Sequence, residues 1–458
     1  SFVPLVQPPT GVTLTRTTAG SFLKQYAVSA VAELTGEESV PSSIVDTTAA
    51  PTASLNQDTG VGIRITWTAP ASGPTPDLYN VYASRQWHNV LGAGGNGDVL
   101  GYIGSSETLA FTDVNIEPDF SLRPIATADI TSTYGNFGCN TYFQGRQFFA
   151  ATTNYPQVLA ASAVANFKNF NEHQITRAED PFVVQLLANQ VNAIKHLVSL
   201  NSLIALTGNG AWLISGDGQD DAITALTVRA RPQQYNGCSD VPPLNVSSDV
   251  LYVQALGAKI RTLAYDFQTN IFTGTDITVL ASHMFYGRTI LETAYAEEPF
   301  SLVYTVRSDG VMPVMTYLKE QDIYAWASWL TPGDSDTDKF ISIATIPESG
   351  EHIAYIVTRR TMPGVKSGNW FYMIERVASR NWIDADAEVD GTIDPNLVWC
   401  LDSAVEFLAP ASTTLTGLHH LIGATVICYV DGGLQASKVV TAAGTITLDR
   451  AAATRALV

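Results

Sequence analysis

Alternating hydrophobic and polar positions mark residues 299–329 as the clearest structural unit of the chain. Residues 301–307 are rich in β-branched and aromatic side chains, and the turn residues Ser308-Asp309-Gly310 follow them. Residues 311–318 then return as a second run. Two such runs around a glycine-containing turn predict a β-hairpin. Residues 323–329 form a third run with apolar side chains on both faces, which favours a strand between two neighbours.

Comparable units recur between about residue 140 and residue 400. Their turn centres lie near residues 209, 257, 309 and 364, so that successive units are about 50 residues apart. Antiparallel strands at this spacing are typical of propeller blades, and we predict an irregular β-propeller over residues 124–400. Helical spacing is plausible at residues 185–200, although a strand over residues 193–198 fits the same side chains.

The first part of the chain has the short strands and loops of small β-sandwiches. Residues 25–31 and the turn at 35–39 look like the second half of a fibronectin type III sandwich, which predicts a partial module over residues 1–50. Residues 51–123 contain further alternating runs and predict a fuller fibronectin type III-like sandwich. Residues 401–458 predict a small C-terminal β domain. The fold class is therefore mainly β.

Composition and charge limit the class of protein. Hydrophobic residues make up 46% and charged residues 15% of the chain, which indicates a folded protein with surface that meets other subunits. Lys and Arg number 25 against 43 Asp and Glu, which gives a net charge of −18. Such a chain should not grip nucleic acid by its phosphates, but it could line a passage through which DNA slides. No apolar run is long enough for a membrane span, and no signal peptide opens the chain.

Three acidic loops offer oxygen atoms to a cation. Residues 334–338 resemble the start of a calcium loop, but Lys339 and Thr345 stand where that loop needs glycine and glutamate. Residues 386–391 have the glycine without the glutamate, and residues 217–221 make no better case. We predict solvated loops and no metal site.

Residues with catalytic potential do not form a known motif. His419 and His420 are expected on a strand, where neighbours point to opposite faces and cannot share a metal ion. Residues 370–372 and Arg376 are expected in a core strand rather than on a stacking platform. The four cysteines of the chain are Cys139, Cys238, Cys400 and Cys428. They lie far apart in the sequence, and we expect them to be buried free thiols. We therefore predict no catalytic, cofactor-binding or metal-binding residue and no enzyme.

A series of short phrases, in order along nearly the whole chain, carries a family resemblance. Together they resemble the tail nozzle proteins of short-tailed bacteriophages, also called tail tubular protein B or stabilisation protein. The phrases lie at residues 26–31, 35–39, 79–82, 101–104, 116–119, 142–146, 235–239, 320–326 and 417–423.

The resemblance implies a structural virion protein that is made in the host cytoplasm and resides in the phage tail. It implies a homo-hexameric ring below the portal and adaptor proteins, beside tail fibres or spikes, around the channel through which dsDNA leaves. It implies no cofactor. The chain begins without Met and stops at Val458, so we expect its ends to be incomplete. The alternative is a secreted carbohydrate-active or adhesion protein with a propeller and fibronectin-like modules, since two carboxylates at a propeller mouth would suit glycoside hydrolysis.

Overall fold

The computed structural model is a mainly β protein with 51% strand and 5% helix. Two compact units divide the chain, Ser1–Gly237 and Cys238–Val458. The described α-helices are α1 (Ile130–Tyr134) and α2 (Ser282–Phe285), and no described helix is long and apolar enough to cross a membrane. The structure describes residues 6–16, 22–32, 37–46, 62–85, 87–88, 99–125, 130–173, 176–187, 193–218, 221–331, 338–361, 370–380, 382, 393, 398, 400–408 and 412–458.

The first unit begins with ten strands: β1 (Thr10–Arg16), β2 (Phe22–Leu23), β3 (Gln25–Ala32), β4 (Glu37–Glu38), β5 (Val45–Asp46), β6 (Ile63–Thr68), β7 (Leu78–Ala83), β8 (Trp87–His88), β9 (Gly101–Ser106) and β10 (Ala110–Asp113). One sheet has the order β1-β6-β10 and the other the order β4-β3-β7-β9, while β5 also pairs with β3 and β2 pairs with β8. Inward side chains such as Val28, Ile65 and Val81 form the core between these two sheets. The alternating runs noted within residues 51–123 include strands β6, β7, β9 and β10.

Residues 1–50 do not form a separate partial module. Strand β1 pairs with β6, where Leu14 lies opposite Ile65, and β3 pairs with β7, where Val28 lies opposite Val81. Because its inward residues complete the core of the later strands, the first segment belongs to one sandwich with residues 51–123. The predicted division at residue 50 is therefore wrong, and the fibronectin type III topology stays a prediction.

A buried ion pair lies inside this sandwich. The Lys24 ammonium donates to Asp113 Oδ2 at 2.7 Å, and the Tyr26 hydroxyl donates to the same oxygen at 2.7 Å. Lys24 and Asp113 are 2% and 0% exposed. The backbone N–H of Ile116 donates to Asp113 Oδ1 at 2.8 Å, so both carboxylate oxygens are satisfied. The aspartate thus links the start of β3 to the end of β10.

Two four-stranded sheets follow in the first unit: β11 (Cys139–Phe143), β12 (Arg146–Ala150), β13 (Val158–Ala161) and β14 (Phe182–Gln185), then β15 (Ile194–Ser199), β16 (Leu203–Thr207), β17 (Gly210–Ser215) and β18 (Arg229–Gln234). In each sheet, strands that are consecutive along the chain are neighbours and antiparallel. A shared core with Phe148, Leu159 and Trp212 joins the two sheets. The predicted hairpin around residue 209 is confirmed by β16 and β17.

The helix predicted over residues 185–200 is absent from the described part of that segment. Strand β15 stands there and pairs with β16, where Leu197 lies opposite Ala205. Ile194, Leu197 and Val198 satisfy either periodicity, and pairing with an already apolar strand decides the outcome. The alternative strand at residues 193–198 is confirmed.

The second unit contains eleven further strands in three sheets: β19 (Leu244–Val246), β20 (Asp249–Val253), β21 (Ile260–Asp266), β22 (Ile271–Thr273), β23 (Ile290–Ala296), β24 (Leu302–Arg307), β25 (Met312–Leu318), β26 (Ile323–Trp329), β27 (Lys339–Glu348), β28 (Glu351–Thr361) and β29 (Trp370–Arg376). The sheets have the orders β19-β20-β21-β22, β23-β24-β25-β26 and β27-β28-β29. The three strands predicted in residues 299–329 are confirmed, and β23 adds a fourth. Gly310 has a φ of +89°, and a Cβ there would lie 2.4 Å from Lys339 Cβ, so the turn requires glycine.

Residues 401–458 form two small sheets from β30 (Glu406–Leu408), β31 (Thr414–Leu415), β32 (Thr425–Val430), β33 (Gly433–Val439), β34 (Ile446–Thr447) and β35 (Arg455–Leu457). One has the order β30-β35-β32-β33, and β31 pairs with β34. Their core includes Leu418, Cys428 and Val458. The structure therefore has a sandwich, a series of small antiparallel sheets of the kind found in propeller blades, and two C-terminal sheets.

Candidate interaction site

The described residues of the acidic loops have partners within the protein. Asp338 accepts hydrogen bonds from the backbone N–H and the hydroxyl of Thr361, while residues 332–337 and 383–392 lie outside the described residues. Asp217 pairs with Arg229, and Asp221 accepts from the N–H of Gly218. In the part of the chain that the structure describes, no group of three or more His, Cys, Asp or Glu side chains could hold a metal ion.

The histidine doublet does not lie on a strand. His419 and His420 are in a 3-10 helix that spans His419–Leu421, so the strand expected there is wrong. His420 Nε2 lies 3.3 Å from the Ser403 carbonyl oxygen, while the ring of His419 packs against Gly444. The two rings therefore have separate local contacts.

The cysteines differ in exposure although all four are free thiols. Cys238 and Cys428 are buried, as predicted. Cys139 is half-buried, and burial raises its pKa to about 11. Cys400 is exposed, contrary to the prediction.

A buried arginine organises the long connection between β13 and β14. Arg146 is 1% exposed and donates at 2.7 Å to each of three backbone carbonyls, those of Ser162, Ala178 and Asp180. Its guanidinium carbon also lies 5.4 Å from the ring centre of Phe182. Burial lowers the pKa of Arg146, although Asp180 acts in the opposite direction. The arrangement fixes a loop, and burial closes the guanidinium to a ligand from the solvent.

A second buried arginine joins the last strands of the β27–β29 sheet to the segment that follows. Arg360 donates to both oxygens of Glu375 and to both oxygens of Asp402, and its Nη1 also donates to Thr331 Oγ1 at 2.7 Å. Although burial acts to lower it, the hydrogen bonds and charges of the two carboxylates raise the pKa of Arg360. We call this group the Arg360 clamp. Each of the four carboxylate oxygens accepts a hydrogen bond from Arg360.

A cleft of about 1070 Å³ lies beside this clamp. Residues 373–380, in β29 and after it, line the cleft together with Phe340 of β27 and Ile356 of β28, and Trp329 and Trp382 contribute aromatic rings. Residues 400–404, together with His420 and Arg455, form the opposite side. We call this space the edge cleft. Its volume is at the upper end of the range for ligand sites, and its mixture of indole, guanidinium and apolar groups suits an amphipathic ligand.

The aromatic residues at the start of β29 are not in a core. Trp370 is 48% exposed and Tyr372 is 63% exposed, so the predicted core position is wrong. Ile374, on the same face, is 78% exposed. The Arg359 guanidinium carbon lies 4.8 Å from the centre of the Trp370 ring, which is a cation–π contact. The sequence could not predict this exposure, because a strand that is covered by another sheet and a strand that is open to solvent can have the same alternation of side chains.

Large apolar side chains also protrude at one end of the two preceding sheets. Leu256, in the turn between β20 and β21, is 88% exposed, and Leu280 and Tyr286, between β22 and β23, are 91% and 89% exposed. The N–H of Ile290 donates to the Gly257 carbonyl at 2.8 Å, so these two connections lie side by side. We call Leu256, Val279, Leu280 and Tyr286 the apolar rim. Exposed apolar surface of this kind marks sites of protein association.

Ion pairs adjoin the apolar rim. Asp309, in the turn between β24 and β25, accepts from Arg307 and from Arg288, the latter at 2.9 Å. Partial burial acts to raise the pKa of this aspartate, but the hydrogen bonds from both arginines outweigh it and lower the pKa to about 2. The rim is therefore an apolar patch bordered by fixed charges, which is the usual anatomy of an interface.

Comparisons with known proteins do not establish a family. No family model and no curated protein matches the chain. Similar solved structures include Hsv2 of Kluyveromyces lactis, with 11% identity, a TM-score of 0.30 and coverage of 67% of this chain and 69% of that chain. Another is the β-propeller domain of Cps50 (Swd1) from Myceliophteria thermophila, with 6% identity, a TM-score of 0.30 and coverage of 76% and 82%. A third is the periplasmic gluconolactonase PpgL of Pseudomonas aeruginosa, with 10% identity, a TM-score of 0.31 and coverage of 78% and 96%. None of the three is described as a tail protein, and likeness at this level carries over no activity.

Proposed function

We propose that the protein is a structural subunit of the tail nozzle of a short-tailed bacteriophage, in which copies associate into a ring around the exit channel for dsDNA. The observation that carries the proposal is the apolar rim, where Leu256, Leu280 and Tyr286 are each nearly nine-tenths exposed. Monomeric proteins rarely leave such side chains together in water, so a partner surface is expected to cover them. The resemblance along nearly the whole sequence supports a second copy of the chain as that partner.

The charge of the chain supports a passive role toward DNA. A net charge of −18 repels phosphates, and a ring of such subunits lowers the affinity of the wall for the DNA that passes. We expect Asp and Glu to dominate the channel wall. An assembled ring with a basic or apolar lumen would contradict this mechanism.

Light scattering after size-exclusion chromatography tests the assembly. We expect a mass of about six chains for the wild type, as in a closed ring. Leu280→Asp, which places a charge in the apolar rim, should shift the mass toward one chain. Leu434→Asp is the matched control, because Leu434 is 73% exposed on β33, outside the rim, and should keep the wild-type mass. A monomer at every concentration, or equal effects of the two variants, would refute the role of the rim.

The edge cleft favours a second candidate, a secreted carbohydrate-active protein. Indole rings suit the apolar faces of sugars, and Glu375 and Asp402 lie at the cleft. Hydrolysis would need one carboxyl group free to donate a proton and another free to act as base or nucleophile. All four oxygens of these carboxylates instead accept hydrogen bonds from Arg360. A monomeric protein with glycosidase activity that is lost in Glu375→Gln would replace the nozzle proposal.

A further inference from the structure

A lysine and an aspartate lie against each other inside the sandwich. The side chains of Lys24 and Asp113 are 2% and 0% exposed, and Nζ of the lysine lies 2.7 Å from Oδ2 of the aspartate. Two full charges are costly to keep in such a site, whereas the burial of a neutral amide costs less. The Lys259–Asp276 pair has a similar length of 2.9 Å, but Lys259 is 57% exposed, so water solvates its ammonium group. The buried pair therefore has a driving force for condensation that the exposed pair lacks.

The two oxygens of the Asp113 carboxylate have different contacts. The backbone N–H of Ile116 donates to Oδ1 at 2.8 Å, and a donor in this position stabilises the negative charge that develops on a carboxyl oxygen during nucleophilic attack. The hydroxyl of Tyr26 donates to Oδ2 at 2.7 Å, and this side chain is 0% exposed. A donor on Oδ2 stabilises that oxygen as a leaving group. The contacts thus prepare Oδ1 to become an amide oxygen and Oδ2 to leave.

The nitrogen of Lys24 is held beside the carboxyl carbon. Nζ donates to the carbonyl oxygen of Ile116 at 3.1 Å as well as to Oδ2 of Asp113. Because Oδ2 is bonded to Cγ, a nitrogen at hydrogen-bond distance from Oδ2 is also in contact with Cγ. Well-oriented intramolecular groups react as if at an effective concentration of about 10⁵–10⁸ M. The exclusion of water from the core also protects an amide bond there from hydrolysis.

We propose that Lys24 and Asp113 condense into an intramolecular amide bond, which makes the pair a self-modification site of the sandwich. Nζ transfers one proton to Oδ2 through their hydrogen bond and attacks Cγ as a neutral amine. The C–N bond forms, a second proton moves from the nitrogen to Oδ2, and the C–Oδ2 bond breaks, so that this oxygen leaves as water. One ammonium and one carboxylate thus become one amide and one water, without an oxidant, a reductant or a cofactor.

The amide bond joins the two sheets of the sandwich. Lys24 directly precedes β3 in one sheet, and Asp113 is the last residue of β10 in the other. The two residues are 89 positions apart, so the bond closes a loop that contains strands β3 to β10. This inference does not depend on the proposed ring, because it concerns the core of a single chain.

Mass spectrometry of the intact, denatured full chain tests the proposal. We expect a mass that is lower than the mass of the sequence by one water molecule and, after proteolysis, a branched peptide in which Lys24 is joined to Asp113. Lys24→Arg keeps the positive charge but replaces the amine with a guanidinium that stays protonated, so it should have its full sequence mass. Lys259→Arg is the matched control and should keep the deficit of one water, because its ion pair is exposed.

Tyr26→Phe tests the role of the hydroxyl at Oδ2. In samples taken at intervals after synthesis, we expect this variant to lose water about a hundredfold more slowly than the wild type. Equal rates would overturn the role of Tyr26. A wild type with its full sequence mass, a deficit that persists in Lys24→Arg, or a branched peptide at another pair would each overturn the proposal. The mass of the wild type is decisive whether or not the variants fold.

Discussion

Replacing Arg146 with methionine tests whether a buried cation holds the connection between β13 and β14. Each of its three hydrogen bonds comes from a charged donor, and the lower figure for such bonds is about 1.5 kcal/mol each. The three together contribute about 4.5 kcal/mol. Removing a buried ion also relieves part of its desolvation cost, for which we subtract about 1.5 kcal/mol. We therefore expect Arg146→Met to lower the free energy of unfolding by about 3 kcal/mol.

Differential scanning calorimetry and urea unfolding measure this loss. In a unit of this size, about 3 kcal/mol corresponds to a fall in the transition temperature of about 6–12 °C. Hydrogen exchange should quicken first at the backbone N–H groups of residues 163 and 164, which bond across the same loop. The matched control is Arg229→Met, because Arg229 is 57% exposed and its ion pair should contribute less than about 1 kcal/mol. A loss below about 1 kcal/mol for Arg146→Met, or equal losses in the two variants, would refute the reasoning.

Three further perturbations act on other parts of the fold. Lys24→Met leaves the buried carboxylate of Asp113 without its cation, and we expect urea unfolding to show a loss of about 3–5 kcal/mol. Asp309 has a folded-state pKa of about 2, below its usual 3.8, so its stabilising contribution is complete above about pH 4 and is lost as the pH falls through about 2. Asp309→Asn should make the free energy of unfolding depend less on pH between about pH 2 and pH 4. An unchanged pH dependence in that range would contradict the role of Asp309. Gly237→Ala puts a Cβ 1.8 Å from the Gly208 carbonyl oxygen and should cost more than about 2 kcal/mol, whereas Gly208→Ala has open space and should be nearly neutral in the same thermal assay.

Local patterns in the sequence predicted the strands better than their partners. The hairpins around Gly210 and Gly310 could be predicted because alternation and turn chemistry act over a few residues. The pairing of β1 with β6 and of β3 with β7 could not, because it joins segments about fifty residues apart through a shared core that no local pattern records. The region at Ile194 was ambiguous because its side chains fit two periodicities.

The candidate sites were less accessible to sequence reasoning than the fold. Trp329, Arg380 and Arg455 meet at the edge cleft only after several sheets have formed, and their spacing follows no motif. The alternation of β28 was the available signal, because it places Arg360 on the same buried side as Ile356, where a cation must find partners. The apolar rim had no signal at all, because exposed and buried leucines look alike in a sequence.

The place of β35 in its sheet has a consequence for how the chain is made. This strand, Arg455–Leu457, lies between β30 and β32, although it follows both along the chain. A ribosome releases the strands in sequence order, so β30 and β32 emerge with a gap between them that only the last of the three can fill. Until then the apolar side chains of Val430 and Cys428 lack the strand that covers them. Nascent chains halted after β34 should therefore remain sensitive to protease in this region, and those released after β35 should resist it.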